Sequence, residues 1–391
     1  MSSESVPDFI PLSVPHIAGR EWEYVKDCFD TGWVSSVGTY VDRFEKELAQ
    51  RVGARHAIAC SSGTAALHVA LLVAGVVPED QVIVPTLTFI ASANSVRYVG
   101  AHPVFVDAEP RYLQLDVDKV AHYLSHACGH RDDRFVDLTT GRRVSAIMPV
   151  HVLGHPCDMA PLLELAERYG LTVIEDATES LGSLYSGRAT GTLGRLGCFS
   201  FNGNKILTTG SGGMIVTDDP ELAKRAKHLT TQAKLDPVEF VHDEIGFNYR
   251  LSNISAAMGV AQLEMLDDAV AAKRRIASRY DDELGGLAGI TLPTAAPWAE
   301  PNAWLYTIRV DASRFGMDSR ALMRRLREHR IEARPLWQPL HRSPAHVGAR
   351  AWHCEVADAL QAVALSIPCS VGLRESDQTR VMEVIRGACG A

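Results

Sequence analysis

Short β-branched runs alternate with helix-like stretches through the first two-thirds of the chain. "HAIAC", "GTAALHVALLVAG", "QVIVP", "TFIASANSVRYVG" and "HPVFVD" follow one another from residue 56 to residue 107. Strands that are apolar without a break need cover on both faces, and strands joined through helices run parallel, so this rhythm restricts the region to a mostly parallel sheet between helical layers. Further strands are predicted at Val144–His151, Leu171–Asp176, "GCFSF" and "GGMIVTDD", with a helix on "MAPLLELAERYG" between the first two.

The rhythm stops after a helix that opens near Ser252 and carries "ISAAMGVAQLEMLDDAVAAKRR". The Pro- and Ala-rich passage "GLAGITLPTAAPWAEPN" then suggests a boundary. Beyond it, "AWLYTIRV", "SRALMRRLREHRIEAR", "ALQAVALSIP" and a terminal helix describe a small α+β domain. With 391 residues and 46% hydrophobic content the chain can fill two cores, expected over residues 1–270 and 271–391. The segment Ser125–Arg143 is polar and aperiodic and is expected to be a surface excursion.

A net charge of −8 argues against a nucleic-acid partner, so an anionic ligand should be small. The eight cysteines form no CxxC pair, which fits free thiols in a reducing compartment. The opening "MSSESVPDFIPLSV" has no basic segment followed by an apolar one, and no run is long enough to span a bilayer. These features lead to the expectation of a cytoplasmic protein without a membrane partner.

Chemistry concentrates around "CFSFNGNKILTTGSGGMIVTDD", where Lys205 stands between aromatic residues and a tract of small ones. Desolvation makes a lysine amine easier to deprotonate and so a candidate Schiff-base former. In "VIEDATES", Asp176 falls at the carboxyl end of a strand, where ligand crevices open in parallel sheets. A buried aspartate needs a cationic partner, and the protonated pyridine nitrogen of pyridoxal phosphate would be one. Strand alternation turns Glu175 the other way, to pack or to meet solvent. In "CSSGTAALHVALLVAG", Ser62, Gly63 and Thr64 open a helix that is either an anion site or simply capped. Phe89 in "PTLTFIASANSV" could lie on a cofactor ring or fill the core. His151, His155 and Cys157 superficially resemble metal ligands, but Gly154 and Pro156 deny them a common helical face, and no metal is expected.

Taken in order, "SSGTAAL", "VIEDATES", "FSFNGNK" and "GFNYRLSNI", preceded by "PLSVPHIAGREWEYVKDCFDTGWVSSVG", resemble the pyridoxal-phosphate-dependent nucleotide-sugar aminotransferases of the DegT/DnrJ/EryC1/StrS family. The likeness runs from about Pro11 to the C-terminus, and the motifs look most like those of LegC-type and perosamine-synthase-type members. It implies the type I, aspartate-aminotransferase-like α/β fold. It also implies that Lys205 bonds the cofactor, Asp176 faces the pyridine nitrogen, Phe89 stacks on the ring, and Gly63, Thr64 and Ser200 hold the phosphate. Glu179 would lie near the ring oxygen, and His151 beside the pocket.

The family's active site lies at a homodimer interface, which makes Asn248 a contact to the cofactor phosphate of the partner subunit. "TGWVSSVG", "NYR" and "ARPLWQPLH" resemble segments around the nucleotide sugar, so Trp33, Ser35, Arg250, Trp337 and His341, with His151 beside the pocket, are substrate-contact candidates. The two tryptophans could equally pack a domain interface. Lysine rather than histidine at 205 implies amino transfer rather than sugar deoxygenation.

The expected reaction passes the amine of L-glutamate, leaving 2-oxoglutarate, to C4 of a nucleotide-linked 4-keto-6-deoxyhexose. An N-acetylated UDP-sugar or a GDP-sugar is the expected acceptor, for a surface glycan or a nonulosonic acid. Amination at C3 and a non-catalytic regulatory role on the same fold are the alternatives. A nicotinamide oxidoreductase is disfavoured because the G-x-G-x-x-G fingerprint is absent.

Overall fold

The computed structural model describes residues 8–236 and 238–390. Eight strands form the principal sheet, in the order His56–Cys60, Gly213–Thr217, Leu196–Ser200, Thr172–Asp176, Val144–Ile147, Gln81–Pro85, His102–Val106 and Arg350–Trp352. Gly213–Thr217 runs antiparallel to both neighbours, and every other pairing between neighbours is parallel. The register sets Leu196 against Ile174 and Cys198 against Asp176.

Alternation along these strands feeds two helical layers. Ile58, Cys60, Cys198 and Ile215 join Leu67, Leu71 and Val96 on one face. Ala59, Phe199, Met214 and Val216 meet Tyr24, Phe44, Leu48 and Val260 on the other. Each fully buried aliphatic or aromatic side chain contributes about 1.5–3 kcal/mol, which is why the sheet holds both layers.

The C-terminal part is built on an antiparallel sheet ordered Ile290–Thr291, Tyr306–Val310, Ala364–Ile367 and Arg334–Pro335. Its core gathers Ile276, Tyr280 and Leu284 of the helix Leu266–Leu284 with Leu322, Leu326, Val381 and Ile385. Ile10 belongs to the same core and bridges Ile331. Arg350–Trp352 leaves this part and extends the principal sheet beside His102–Val106.

Three sequence expectations change. The segment read as a polar surface excursion contains an antiparallel ribbon, Cys128–Arg131 with Arg134–Asp137, that buries Cys128, Phe135 and Val136. Three buried apolar residues among many polar ones are too few to show as a period. The helix from Ser252 is two helices, Asn253–Glu264 and Leu266–Leu284, separated at Met265. The strand expected to reach His151 stops at Ile147, ahead of Pro149, which has no N–H for the ladder, although Val150 still bridges Asp176. All eight cysteines are free thiols, and no described helix is long and apolar enough to cross a membrane.

Candidate active site

Cys60, Pro85, Asp176 and Ser200 end strands that point the same way, and the residues just beyond them enclose a cavity of ≈290 Å³. Such a crevice at the carboxyl edge follows from the winding of a parallel sheet. Helix Gly63–Val73 starts at the cavity, capped by Ser62 Oγ, which accepts the Ala65 N–H at 3.1 Å.

Lys205 follows a tight turn in which its own N–H donates to Asn202 O at 3.0 Å. Its side chain is 13% exposed, with Nζ 3.9 Å from Glu179 Oε1. On another side Nζ stands 4.0 Å from the centroid of the Trp304 ring. Burial lowers the amine's pKa, and the charges of Glu179 and Asp176 pull it partly back. Burial also pushes the Glu179 carboxyl up to about 7, against the Lys205 charge and the Leu153 N–H, which donates to Oε2 at 2.8 Å.

Asp176 is 2% exposed, and its carboxylate has neutral partners: Ser92 Oγ–H donates to Oδ2 at 2.7 Å and the Thr178 N–H to Oδ1 at 3.2 Å. Glu175, one residue earlier, faces the opposite layer as alternation requires. It accepts from His151 Nε2 at 2.9 Å and from the N–H groups of Gly191, Leu193 and Gly194. One carboxylate is saturated; its neighbour is buried with no cation at ion-pair distance among the described residues.

The residues fit pyridoxal phosphate on four observations. Asp176 lacks a counter-charge that a protonated pyridine would supply. The N–H groups of Gly63 and Thr64 open a helix, so they have no intrahelical acceptor and suit a phosphate. A Cβ at Gly63 would lie 2.8 Å from Ser200 Cβ, so only glycine lets the helix end approach the strand end this closely. Thr88 Oγ1, on the cavity wall, is buried without a hydrogen-bond partner.

Of the sequence candidates, Gly63, Thr64, Phe89, Asp176, Glu179, Ser200, Lys205 and Trp337 line this one cavity. Phe89 is 53% exposed and edge-on to Trp337, at a centroid distance of 6.5 Å, so it is no core residue. His151 requires a correction. It is fully buried, its Nδ1 accepts the Cys157 N–H at 3.0 Å and its Nε2 is spent on Glu175, leaving no ring nitrogen for a substrate. His155 is likewise occupied, by Pro156 O and the Ala296 N–H.

Trp33 and Ser35 are exposed and outside the cavity of their own chain, and their carbonyls accept from Asn253. Asn248 and Arg250 also lie outside it and bond each other, Oδ1 accepting from Nη2 at 3.1 Å. His341 is tied to Thr86 Oγ1 at 2.8 Å and does not line it. Sequence reasoning missed Thr88, Ser92, Asn204 and Trp304. Ser92 carried a faint signal, lying three residues after Phe89 at the start of helix Ala91–Tyr98.

Residues 15–386 match the model of the DegT/DnrJ/EryC1/StrS aminotransferase family. The chain is 41% identical over 377 residues to the GDP-perosamine synthase of Caulobacter vibrioides, covering 96% of this chain and 97% of that one. It is 40% identical over 380 residues to EpsN of Bacillus subtilis, named as a pyridoxal phosphate-dependent aminotransferase, covering 96% and 95%. Among solved structures, a DegT DnrJ EryC1 StrS aminotransferase from Brucella abortus superposes with a TM-score of 0.87 at 30% identity, over 95% and 96% of the two chains.

Proposed function

Because the chain belongs to the DegT/DnrJ/EryC1/StrS aminotransferase family and is a pyridoxal-phosphate-dependent sugar aminotransferase, we propose that it moves the amine of L-glutamate onto C4 of a GDP-linked 4-keto-6-deoxyhexose. The product would be a 4-amino-4,6-dideoxy sugar nucleotide for a surface glycan. The arrangement that carries this reading is one cavity holding a buried lysine amine, a strand-end aspartate without a cation and an open helix N-terminus. The choice of GDP rests on the likeness to a GDP-perosamine synthase.

Pyridoxal phosphate supplies a carbonyl that can bond an amine and a protonated ring that draws electrons from the carbon being deprotonated. In this chain Asp176 would keep the ring nitrogen protonated, and Ser92 and Thr178 hold that carboxylate in place. Gly63, Thr64 and Ser200 would bind the phosphate, and Phe89 would cover the ring face. Lys205 would hold the cofactor and, once freed, take a proton from the donor's α-carbon and return one to the sugar carbon in the second half of the cycle. Glu179, whose carboxyl is pushed up to about 7 and stands 3.9 Å from that amine, would exchange a proton with it or with the ring oxygen. The division that accompanies this reading is a cofactor domain at 1–270 and a smaller domain at 271–391 that lends Trp304 and Trp337 to the cavity.

A homodimer completes the proposal. Asn248 and Arg250, together with Trp33 and Ser35, miss their own chain's cavity and are accessible to serve that of a partner subunit. The test is to incubate the cofactor-loaded protein with L-glutamate and 4-keto-6-deoxyhexoses linked to GDP, UDP or dTDP. Mass spectrometry would detect the amino sugar, and NMR would locate its nitrogen. Amination at C4 of the GDP-sugar is expected. Amination at C3, or preference for another nucleotide, would overturn the corresponding part, and no amination with any of them would overturn the whole.

A further inference from the structure

Trp304 comes from the C-terminal part of the chain, yet its ring is 4.0 Å from the amine of Lys205 in the turn beyond strand Leu196–Ser200, well within the range of a cation–π contact. The indole Nε1–H donates to Asn204 O at 2.7 Å, so the ring is bonded to the residue next to the lysine it covers. Its backbone is equally fixed. The Trp304 N–H donates to Asn302 Oδ1 at 2.8 Å, and Trp304 O accepts from Lys273 Nζ at 2.8 Å. Asn302 in turn donates from Nδ2 to Glu179 O at 3.0 Å and to Leu181 O at 2.9 Å. One buried amide therefore ties the backbones of Glu179 and Trp304 together, the two residues whose side chains stand on two sides of the same amine.

We propose that Trp304 is a positioning residue whose indole face cradles the Lys205 amine whenever that amine is not bonded to the cofactor. The inference rests on Lys205 being the cofactor lysine of the function proposed above. A freed lysine on a flexible four-carbon stem could settle in many places, and proton transfer needs it within hydrogen-bond reach of one carbon. The cradle gives it one resting place. The ring face also favours the ammonium form, the form that must give a proton back, and so opposes the effect of burial. The charged groups facing the amine are Glu179 and Asp176, both of which act in the same direction as the ring. Lys273 lies beyond the Trp304 backbone and does not face it.

The test uses cofactor-free protein, so its outcome does not depend on any sugar substrate. Reductive methylation by formaldehyde and cyanoborohydride is followed at the Lys205 peptide by mass spectrometry, as a function of pH. In Trp304→Leu the midpoint should fall by about one pH unit and labelling at pH 7 should rise several-fold, whereas Trp304→Phe, which keeps an aromatic face, should stay near the parent. A Trp304→Leu protein that is folded by circular dichroism with an unmoved midpoint overturns the proposal. Should that variant not fold, graded fluorination of all six tryptophans weakens the ring face at nearly constant shape. The midpoint must then fall stepwise with fluorine content, and a flat series overturns the proposal. A shift in a protein that aminates no sugar would leave the cradle standing and remove only the functional reading.

Discussion

Lys205 and Lys273 both have amines whose pKa is lowered by burial, and both touch Trp304, one at its ring and the other at its carbonyl. Their surroundings differ. Lys273 meets the Trp304 carbonyl and the Cys369 thiol, at 2.8 and 3.7 Å, inside packed protein. Lys205 lines a cavity between two carboxylates and an open helix end. Burial explains why each amine is perturbed, but only the cavity gives one of them anything to react with. A perturbed pKa becomes a functional argument when access and complementary groups accompany it.

Substitution should separate the two most sharply. Lys205→Ala should abolish amino transfer, by about four orders of magnitude or more, with unchanged circular dichroism, because no other amine lines the cavity among the described residues. Lys273→Met should cost no more than about ten-fold in rate, since it removes only a support of the Trp304 carbonyl. Its effect should appear in the pH dependence of unfolding. A lysine with a lowered native pKa binds fewer protons folded than unfolded, so it makes stability rise as pH climbs toward its ordinary value of 10.5. Urea titrations should show that rise flattened in Lys273→Met, and an unchanged slope would refute the buried-amine explanation.

The adjacent carboxylates repeat the comparison along one strand. Asp176→Asn should lower turnover by about 10²–10⁴-fold while leaving stability nearly intact, because the carboxylate forms no ion pair in the fold and its charge acts on the Lys205 amine and on a bound cofactor. Glu175→Gln should reverse that pattern. It would turn an NH₂ toward donors that now share a carboxylate and cost about 2–4 kcal/mol in a denaturant midpoint, with turnover of the remaining folded protein little changed.

Glu179 predicts a smaller change of opposite sign. Its native carboxyl is raised to about 7 from 4.5, so the folded state holds the proton longer and stability declines as pH rises through that window. Glu179→Gln should remove up to about 3 kcal/mol of this decline, read as thermal midpoints between pH 4.5 and 8.

These pairs also show what the sequence discloses. Lys205, Asp176 and Gly63 could be brought to one crevice from the sequence because strand ends in a parallel sheet face one edge, while the roles expected of them came from the order of the family's motifs. Glu175 was legible as to direction, yet nothing in the chain pattern announced its four donors, three of which are backbone N–H groups of a loop that follows. His151 was misplaced for the same reason: proximity along the strand put it beside the pocket, while its side chain pairs with the carboxylate on the far face. Trp304 drew no notice within "AWLYTIRV", since its bond to Asn204 spans 100 positions and depends on how the C-terminal part seats.

Ser92 is the finest test of the comparison, because it supports Asp176 without touching the reaction. Its hydroxyl donates to Oδ2 at 2.7 Å across 84 positions of sequence, and it is fully buried at the start of its helix. Removing it leaves the carboxylate one neutral donor, the Thr178 N–H, so the charge survives while its orientation loosens. Ser92→Ala should therefore lower turnover about ten-fold, against the far larger loss in Asp176→Asn, and Ser92→Thr should recover part of it if the extra methyl fits. Combining Ser92→Ala with Asp176→Asn should cost no more than Asp176→Asn alone, because a support has no effect once the charge it supports is gone. Additive losses in that cycle would mean that Ser92 meets the cofactor directly, and the cavity would then contain a contact of a different kind from the one drawn here.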